Sequence, residues 1–151
     1  MPLSVHIVTA EREVYTEDGV DRIVIPGSEG ELTVLPSHAS LMTMINPGVL
    51  RVIKGNEEIE MAVTGGFLEV RDDRVMVLAD AAERAEEIDV VRAEEARRRA
   101  ERALEEKVST EHLIEAAAAL QRSLLRLRAV ERRRRRTGAP TPPPGTRPPG
   151  S

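Results

Sequence analysis

The stretch GSEGELTVLPSHASL, residues 27–41, decides how this chain is read. It strings turn glycines, a short strand at Leu32 to Leu35, Pro36 and His38 into an order that simple alternation does not require. On either side, β-branched runs recur about every eight to twelve residues: Leu3 to Val8, Glu13 to Tyr15, Val20 to Ile25, Val49 to Ile53, Ile59 to Val63, Phe67 to Val70 and Val75 to Leu78. Turn residues separate them, among them Asp18-Gly19, Pro26-Gly27, Asn46-Pro47-Gly48, Gly55-Asn56, Gly65-Gly66 and Asp72-Asp73. Short strands at this rhythm indicate an antiparallel sandwich or barrel, in which each strand buries one face against the next layer. Tyr15 and Phe67 are the only aromatics, so the core must be built from Val, Ile, Leu and Met.

Beyond Ala85 the period becomes helical. Asp89 stands at an N-cap position, and Ala93, Ala96, Ala100 and Ala103 repeat at spacings of three and four on one face. A break at Val108 to Thr110 leads to a second helix, with a stripe at Leu113, Ala117, Leu120, Leu124 and Leu127. Small residues facing leucines suit a closely packed antiparallel hairpin. Five consecutive arginines, Arg132 to Arg136, then precede a segment with six prolines between Pro140 and Pro149, a composition that cannot form a core. The fold class is therefore mixed α and β, segregated: an antiparallel β-sandwich over residues 1–85, an α-helical hairpin over 86–132, and a disordered Pro/Arg-rich tail over 133–151.

The chain's 151 residues leave room for one ordinary domain, or for a small core plus an appendage. Its net charge of -4 conceals an asymmetry: residues 1–85 hold 7 Lys/Arg against 15 Asp/Glu, while residues 132–151 hold 6 against none. The body is acidic and the tail basic. Cysteine is absent, which excludes disulfides and thiol chemistry. No apolar run approaches the roughly 20 residues of a membrane span, and the start lacks a basic segment followed by an apolar one. The expectation is a soluble, unexported protein whose membrane role, if any, comes through a partner.

The ordered marks Gly27, Gly30, Leu35-Pro36, His38-Ala39, Leu41, Pro47-Gly48, Gly65-Gly66-Phe67 and Ile88-Asp89-Val90-Val91-Arg92-Ala93 resemble the epsilon subunit of bacterial F-type ATP synthase over about residues 2–132. Two departures are local: that family commonly has Gly where Ser37 stands and Pro where Ser40 stands. The resemblance implies a non-catalytic rotor component. Its sandwich would bind the gamma subunit and sit on the membrane c-ring, and its hairpin would reach the alpha and beta subunits of the catalytic head when extended. The site would be the cytoplasmic face of the bacterial cell membrane, held peripherally through the complex. Ser28, Glu29 and Glu31 are the candidate contact with the ring, an ordinary solvated turn being the plain alternative. His38 would bond within its loop or at the gamma interface; a hydrolase reading with Ser37 and Ser40 fails because no acid is placed to orient the ring.

The segment Ile88, Asp89, Arg92, Ala93 resembles the motif with which some bacterial epsilon subunits bind ATP. Glu83, Arg99, Arg122 and Arg126 fit the same scheme, which makes ATP a regulatory ligand and leaves no required cofactor or metal. Local roles compete: Asp89 caps a helix, Arg92 pairs with Glu95, and Arg99 pairs with Glu95. Arg122 and Arg126 are different, being like charges at i and i+4 with no acid within one turn of their helix. That arrangement costs stability in isolation, so an external anion is expected, either phosphate or an acidic loop of the catalytic subunits. Two other classes compete, a free-standing ATP sensor and a nucleic-acid-binding protein with a basic tail. The acidic body and the shortage of aromatics for base stacking oppose the latter.

Overall fold

The structure, a computed structural model, describes residues 2–106 and 109–138. The expectations placed on Val108 and on residues 139–151 of the tail lie outside the described residues. Ten strands come first: β1 (Leu3–Val8), β2 (Glu13–Val20), β3 (Arg22–Gly27), β4 (Gly30–Val34), β5 (Leu41–Ile45), β6 (Gly48–Lys54), β7 (Glu57–Val63), β8 (Gly66–Arg71), β9 (Arg74–Ala79) and β10 (Ala82–Arg84). A 3-10 turn, Ala85–Glu87, precedes helices α1 (Val90–Glu106) and α2 (Thr110–Thr137). The chain divides between Ala85 and Glu86 into two compact units.

The strands hydrogen-bond in the order β10-β7-β6-β3-β5-β8-β9-β1-β2, with β4 paired to β3. Alternation puts Leu3, Val5 and Ile7 of β1, Leu50 and Val52 of β6, and Val75 and Val77 of β9 into one core with Ile23, Ile25, Leu68 and Met61. Tyr15 is the aromatic that joins that core, and the Arg84 guanidinium lies 5.4 Å from its ring centroid. All pairings are antiparallel except β1 with β9. Those two strands are distant in sequence, so no hairpin constrains their direction.

β3 and β5 share a single pair, Gly27 with Ile45, and that row continues through Gly66 to Ala79. It is the seam between the two halves of the sheet. Gly66 adopts φ +145°, and a Cβ there would stand 2.0 Å from the Leu78 carbonyl oxygen, so no other residue fits without moving β9. On the opposite side, the Asp21 amide donates to the Ile53 carbonyl (2.9 Å) and Lys54 Nζ to Glu17 (2.7 Å), tying the end of β2 to β6.

Several local expectations change. Asp18-Gly19 is not a turn between strands but a bulge within β2: Gly19 has φ +73°, and the register against β1 shifts between Leu3 and Val5. One extra residue with a left-handed glycine bends the strand without ending it. β5 and β10 were not expected, β5 because Leu41-Met42-Thr43-Met44 carries a single β-branched residue; pairing with β8 over its whole length makes it a strand. Leu35 lies past the end of β4 and is exposed.

In the second unit, Asp89 caps α1 by accepting a bond from the Arg92 amide (3.2 Å). Ser109 caps α2 through the His112 amide (3.1 Å). α2 does not stop at 132 but continues through the arginine run to Thr137 and ends on Gly138 at φ 70°. Arginine is a good helix former, its charge opposes the negative end of the helix dipole, and Arg135 pairs with Glu131. The face of α2 turned toward α1 is also rotated from the expected leucine stripe. Ala116 and Ser123 are buried, followed by Leu125, Ala129 and Val130, while Ala117 and Leu124 are exposed, so over its first half α2 turns small residues toward the alanines of α1.

Candidate functional site

Ala96, Ala100 and Ala103 of α1 and Ala116, Ala119 and Ser123 of α2 line a groove of about 420 Å³. Side chains of this size leave a cleft that larger residues would have filled. Its rim carries Arg99 from α1 and Arg122 and Arg126 from α2, with Glu115 and His112 nearer the interhelical turn. Arg99 and Arg122 are exposed and, among the described residues, form neither a hydrogen bond nor an ion pair; Arg126 is engaged within the chain. Guanidinium groups keep their charge and present paired N–H donors, so a rim of three suits a polyanion. Ser123 Oγ donates to the Ala119 carbonyl (2.9 Å), and His112 Nε2 faces the Ala103 carbonyl (3.2 Å). Hydroxyl and ring are therefore both turned to backbone carbonyls.

The other nucleotide-site expectations distribute differently. Arg92 does not line the groove: its side chain is 82% exposed and its Nε lies 3.7 Å from Asp89 Oδ2, not beside Glu95. Arg99 does not pair with Glu95 either; it is Arg97 that takes the intrahelical acids, Glu94 (2.7 Å) and Glu101 (3.4 Å). Ile88 and Ala93 are buried. Glu83 belongs to β10 in the first unit and is engaged within the chain. Among the described residues no group of His, Cys, Asp and Glu could hold a metal ion, and no helix is long and apolar enough to cross a membrane.

Ser28 and Glu29 form the turn between β3 and β4, and both are exposed. Glu31 bonds Arg51 (3.2 Å), which also bonds Glu58 (3.3 Å), so of the loop's two acids only Glu29 projects without a partner among the described residues. His38 Nδ1 meets the Ala39 carbonyl (2.7 Å), a contact within its own loop. Ser37 adopts φ 66° while its amide bonds Asp73 (2.6 Å), a left-handed conformation that explains the glycine common at this place in the resembling family.

A second surface was not anticipated. Across β5, β8 and β9 the outward residues align in rows: Met44 opposite Phe67 opposite Leu78, and Met42 opposite Glu69 opposite Met76. Met42, Met44, Phe67, Met76 and Leu78 are all exposed. The signal was present in β9, Arg-Val-Met-Val-Leu-Ala, whose two faces are both apolar where a half-solvated strand alternates. Glu69 stands within the second row, and beside the patch His6, Arg71, Asp72 and Arg74 form a polar margin.

The family profile for the ATP synthase Delta/Epsilon chain, beta-sandwich domain, matches residues 2–85, and that for the long alpha-helix domain matches residues 86–131. The chain belongs to the ATP synthase epsilon family. It is 52% identical over 134 residues to an ATP synthase epsilon chain of Dehalococcoides mccartyi, covering 88% of this chain and 95% of that one. To the epsilon chain of Herpetosiphon aurantiacus it is 46% identical over 136 residues, covering 90% and 99%. Among solved structures it is similar to a chain of the Euglena gracilis mitochondrial ATP synthase OSCP/F1/c-ring assembly, with a TM-score of 0.73 and 25% identity over 85% of this chain and 81% of that chain. The two epsilon-family profiles meet where the chain divides into sandwich and hairpin.

Proposed function

We propose that this epsilon-family chain is a non-catalytic rotor subunit of an F-type ATP synthase, passing c-ring rotation to the catalytic head and restraining ATP hydrolysis through a nucleotide-responsive hairpin. The face of Met42, Met44, Phe67, Met76 and Leu78 is the docking surface for the gamma subunit: an exposed apolar row, Met44, Phe67 and Leu78, flanked by methionines and polar residues has the anatomy of a protein interface. Glu29 at the β3–β4 turn is the contact offered to the ring. The complex holds the subunit peripherally at the cytoplasmic face of the bacterial membrane.

The observation that carries the regulatory part is the groove in which Arg99, Arg122 and Arg126 share one rim with small residues beneath them. A triphosphate supplies the anion that relieves their mutual repulsion, and it gains charge-assisted hydrogen bonds in return. Arg92, exposed and held only by its pair with Asp89, is available to join them. With ATP bound, α1 and α2 stay together. Without it they part, and the basic face of α2 becomes available to acidic loops of the alpha and beta subunits. At ATP about three times the dissociation constant, linkage favours the closed form by only about 0.8 kcal/mol, so closed and open forms must be nearly balanced beforehand.

Calorimetric titration of the full chain with ATP tests this, alongside Arg122→Ala and Arg92→Ala. Saturable binding weakened about tenfold or more by Arg122→Ala is the expected result, because a hydrogen bond to a charged group contributes roughly 1.5–3 kcal/mol. Absence of heat at millimolar ATP overturns the nucleotide role and leaves the groove to an acidic protein loop.

A further inference from the structure

We infer that His112 is the latch of the hairpin, a single side chain that ties the end of α1 to the start of α2 and sets how readily the two helices part. The last carbonyls of an α-helix have no donor within the helix, and acids near them meet the negative end of the dipole. Among the described residues α1 ends in this unfavourable way, with Glu105 and Glu106 in its final turn and no basic residue there. His112 answers it from the other helix: with its proton on Nε2, the ring donates to the Ala103 carbonyl at 3.2 Å and lies 3.8 Å from Glu106 Oε2. The same residue is fixed at its backbone, where its amide bonds Ser109 Oγ at 3.1 Å and thereby caps α2. One residue thus meets two helix ends, its ring closing α1 and its amide held by the Ser109 cap of α2.

The rest of the contact explains why one bond matters. At the turn end, Ala96, Ala100 and Ala103 of α1 and Ala116, Ala119 and Ser123 of α2 bury little area, the larger buried residues of α2, Leu125 and Val130, lying farther along, and the Ser123 hydroxyl is spent within its own helix. Alanine against alanine sets the distance between the helices but contributes little directional restraint. His112 supplies that restraint at the turn end of the groove whose rim holds Arg99, Arg122 and Arg126. Its effect on nucleotide response rests on the reading of that groove as the ATP site; its effect on opening does not.

The test uses the full chain with spin labels on cysteines introduced at the exposed positions Glu95 and Gln121, which the absence of native cysteine makes unique. Interhelical distance distributions are recorded without nucleotide for wild type, His112→Leu and His112→Gln. Leucine keeps the bulk and removes the donor; glutamine restores an N–H at similar reach. The expected result is an open-to-closed ratio raised roughly fivefold by leucine, the size of one net hydrogen bond, and returned close to wild type by glutamine. Equal distributions for leucine and wild type, or equal shifts for leucine and glutamine, overturn the latch. ATP titration of the same proteins separates the two readings: wild type that does not bind ATP defeats the nucleotide site alone, while the distances still decide the latch. Where ATP does bind, leucine raises the apparent dissociation constant by up to the same factor, since only the closed fraction binds.

Discussion

Replacing Phe67 by Ser puts the docking face to the test, because this residue stands at the centre of the patch with Met44 on one side and Leu78 on the other. A phenylalanine buries roughly 200 Å² when fully enclosed. Phe67 is 51% exposed in the isolated chain, which leaves about half of that area, roughly 100 Å², for a partner to cover. At about 25 cal/mol per Å² the lost burial amounts to about 2.5 kcal/mol, and the dissociation constant for the gamma subunit should rise roughly 70-fold. The other half of the ring rests on the chain itself, so Phe67→Ser also lowers the chain's own stability. Circular dichroism melts establish the temperature range in which both proteins are folded, and titration with purified gamma subunit is done within it. A gamma affinity within twofold of wild type, on a folded variant, would refute the assignment of this face.

Three further outcomes follow from the fold. Gly66→Ala should destabilise the chain by more than about 3 kcal/mol in urea unfolding, since its Cβ would meet the Leu78 carbonyl oxygen at 2.0 Å in a backbone conformation (φ +145°) that alanine rarely adopts. Ser37→Gly should stabilise it by up to about 1 kcal/mol in the same assay, by relieving a left-handed residue at φ 66°. Stability should fall as pH rises above about 10. Burial, and then the Glu17 carboxylate, raise the Tyr15 phenol above 10.0, and the hydrogen bond to Glu17 raises the Lys54 ammonium above 10.5. Both groups hold a proton more firmly folded than unfolded, so their contribution is complete below the ordinary values and is lost as pH climbs through the raised ones. Urea midpoints from pH 8 to about 11 check this, and Tyr15→Phe should remove the phenol's share of the decline.

The groove and the face differ in how far the sequence reveals them. Arg122 and Arg126 could be singled out because an i, i+4 pair of like charges without an acid in reach is unfavourable on one helix, whatever surrounds it. Arg99 joining them required α1 and α2 to be set side by side, and the register of that contact turned on which of two adjacent stripes, Leu113 to Leu127 or Ala116 to Ser123, faces inward. Both stripes have helical spacing, so periodicity alone cannot choose between them. Asp89 satisfied the local reading as a cap, whereas Arg92 pairs with Asp89 in place of the expected Glu95 and does not line the groove.

What the sequence determined by itself is the order of most elements, β5 and β10 excepted. Period-two strands to Ala79, the Gly27–Leu41 signature, the change of period after Ala85 and the cap at Asp89 are all local, set by side-chain alternation and backbone preference within a few residues. What only the tertiary structure decided is which distant segments meet. β1 lies parallel to β9, Met42 and Met44 form a strand because β8 pairs with them, and two outward rows, one of them holding Glu69, line up into one largely apolar face. His112 reaches a carbonyl nine residues earlier only because the helices fold back on each other. These contacts depend on pairing and packing between segments, and a one-residue change of register would reassign every one of them while leaving the local patterns intact.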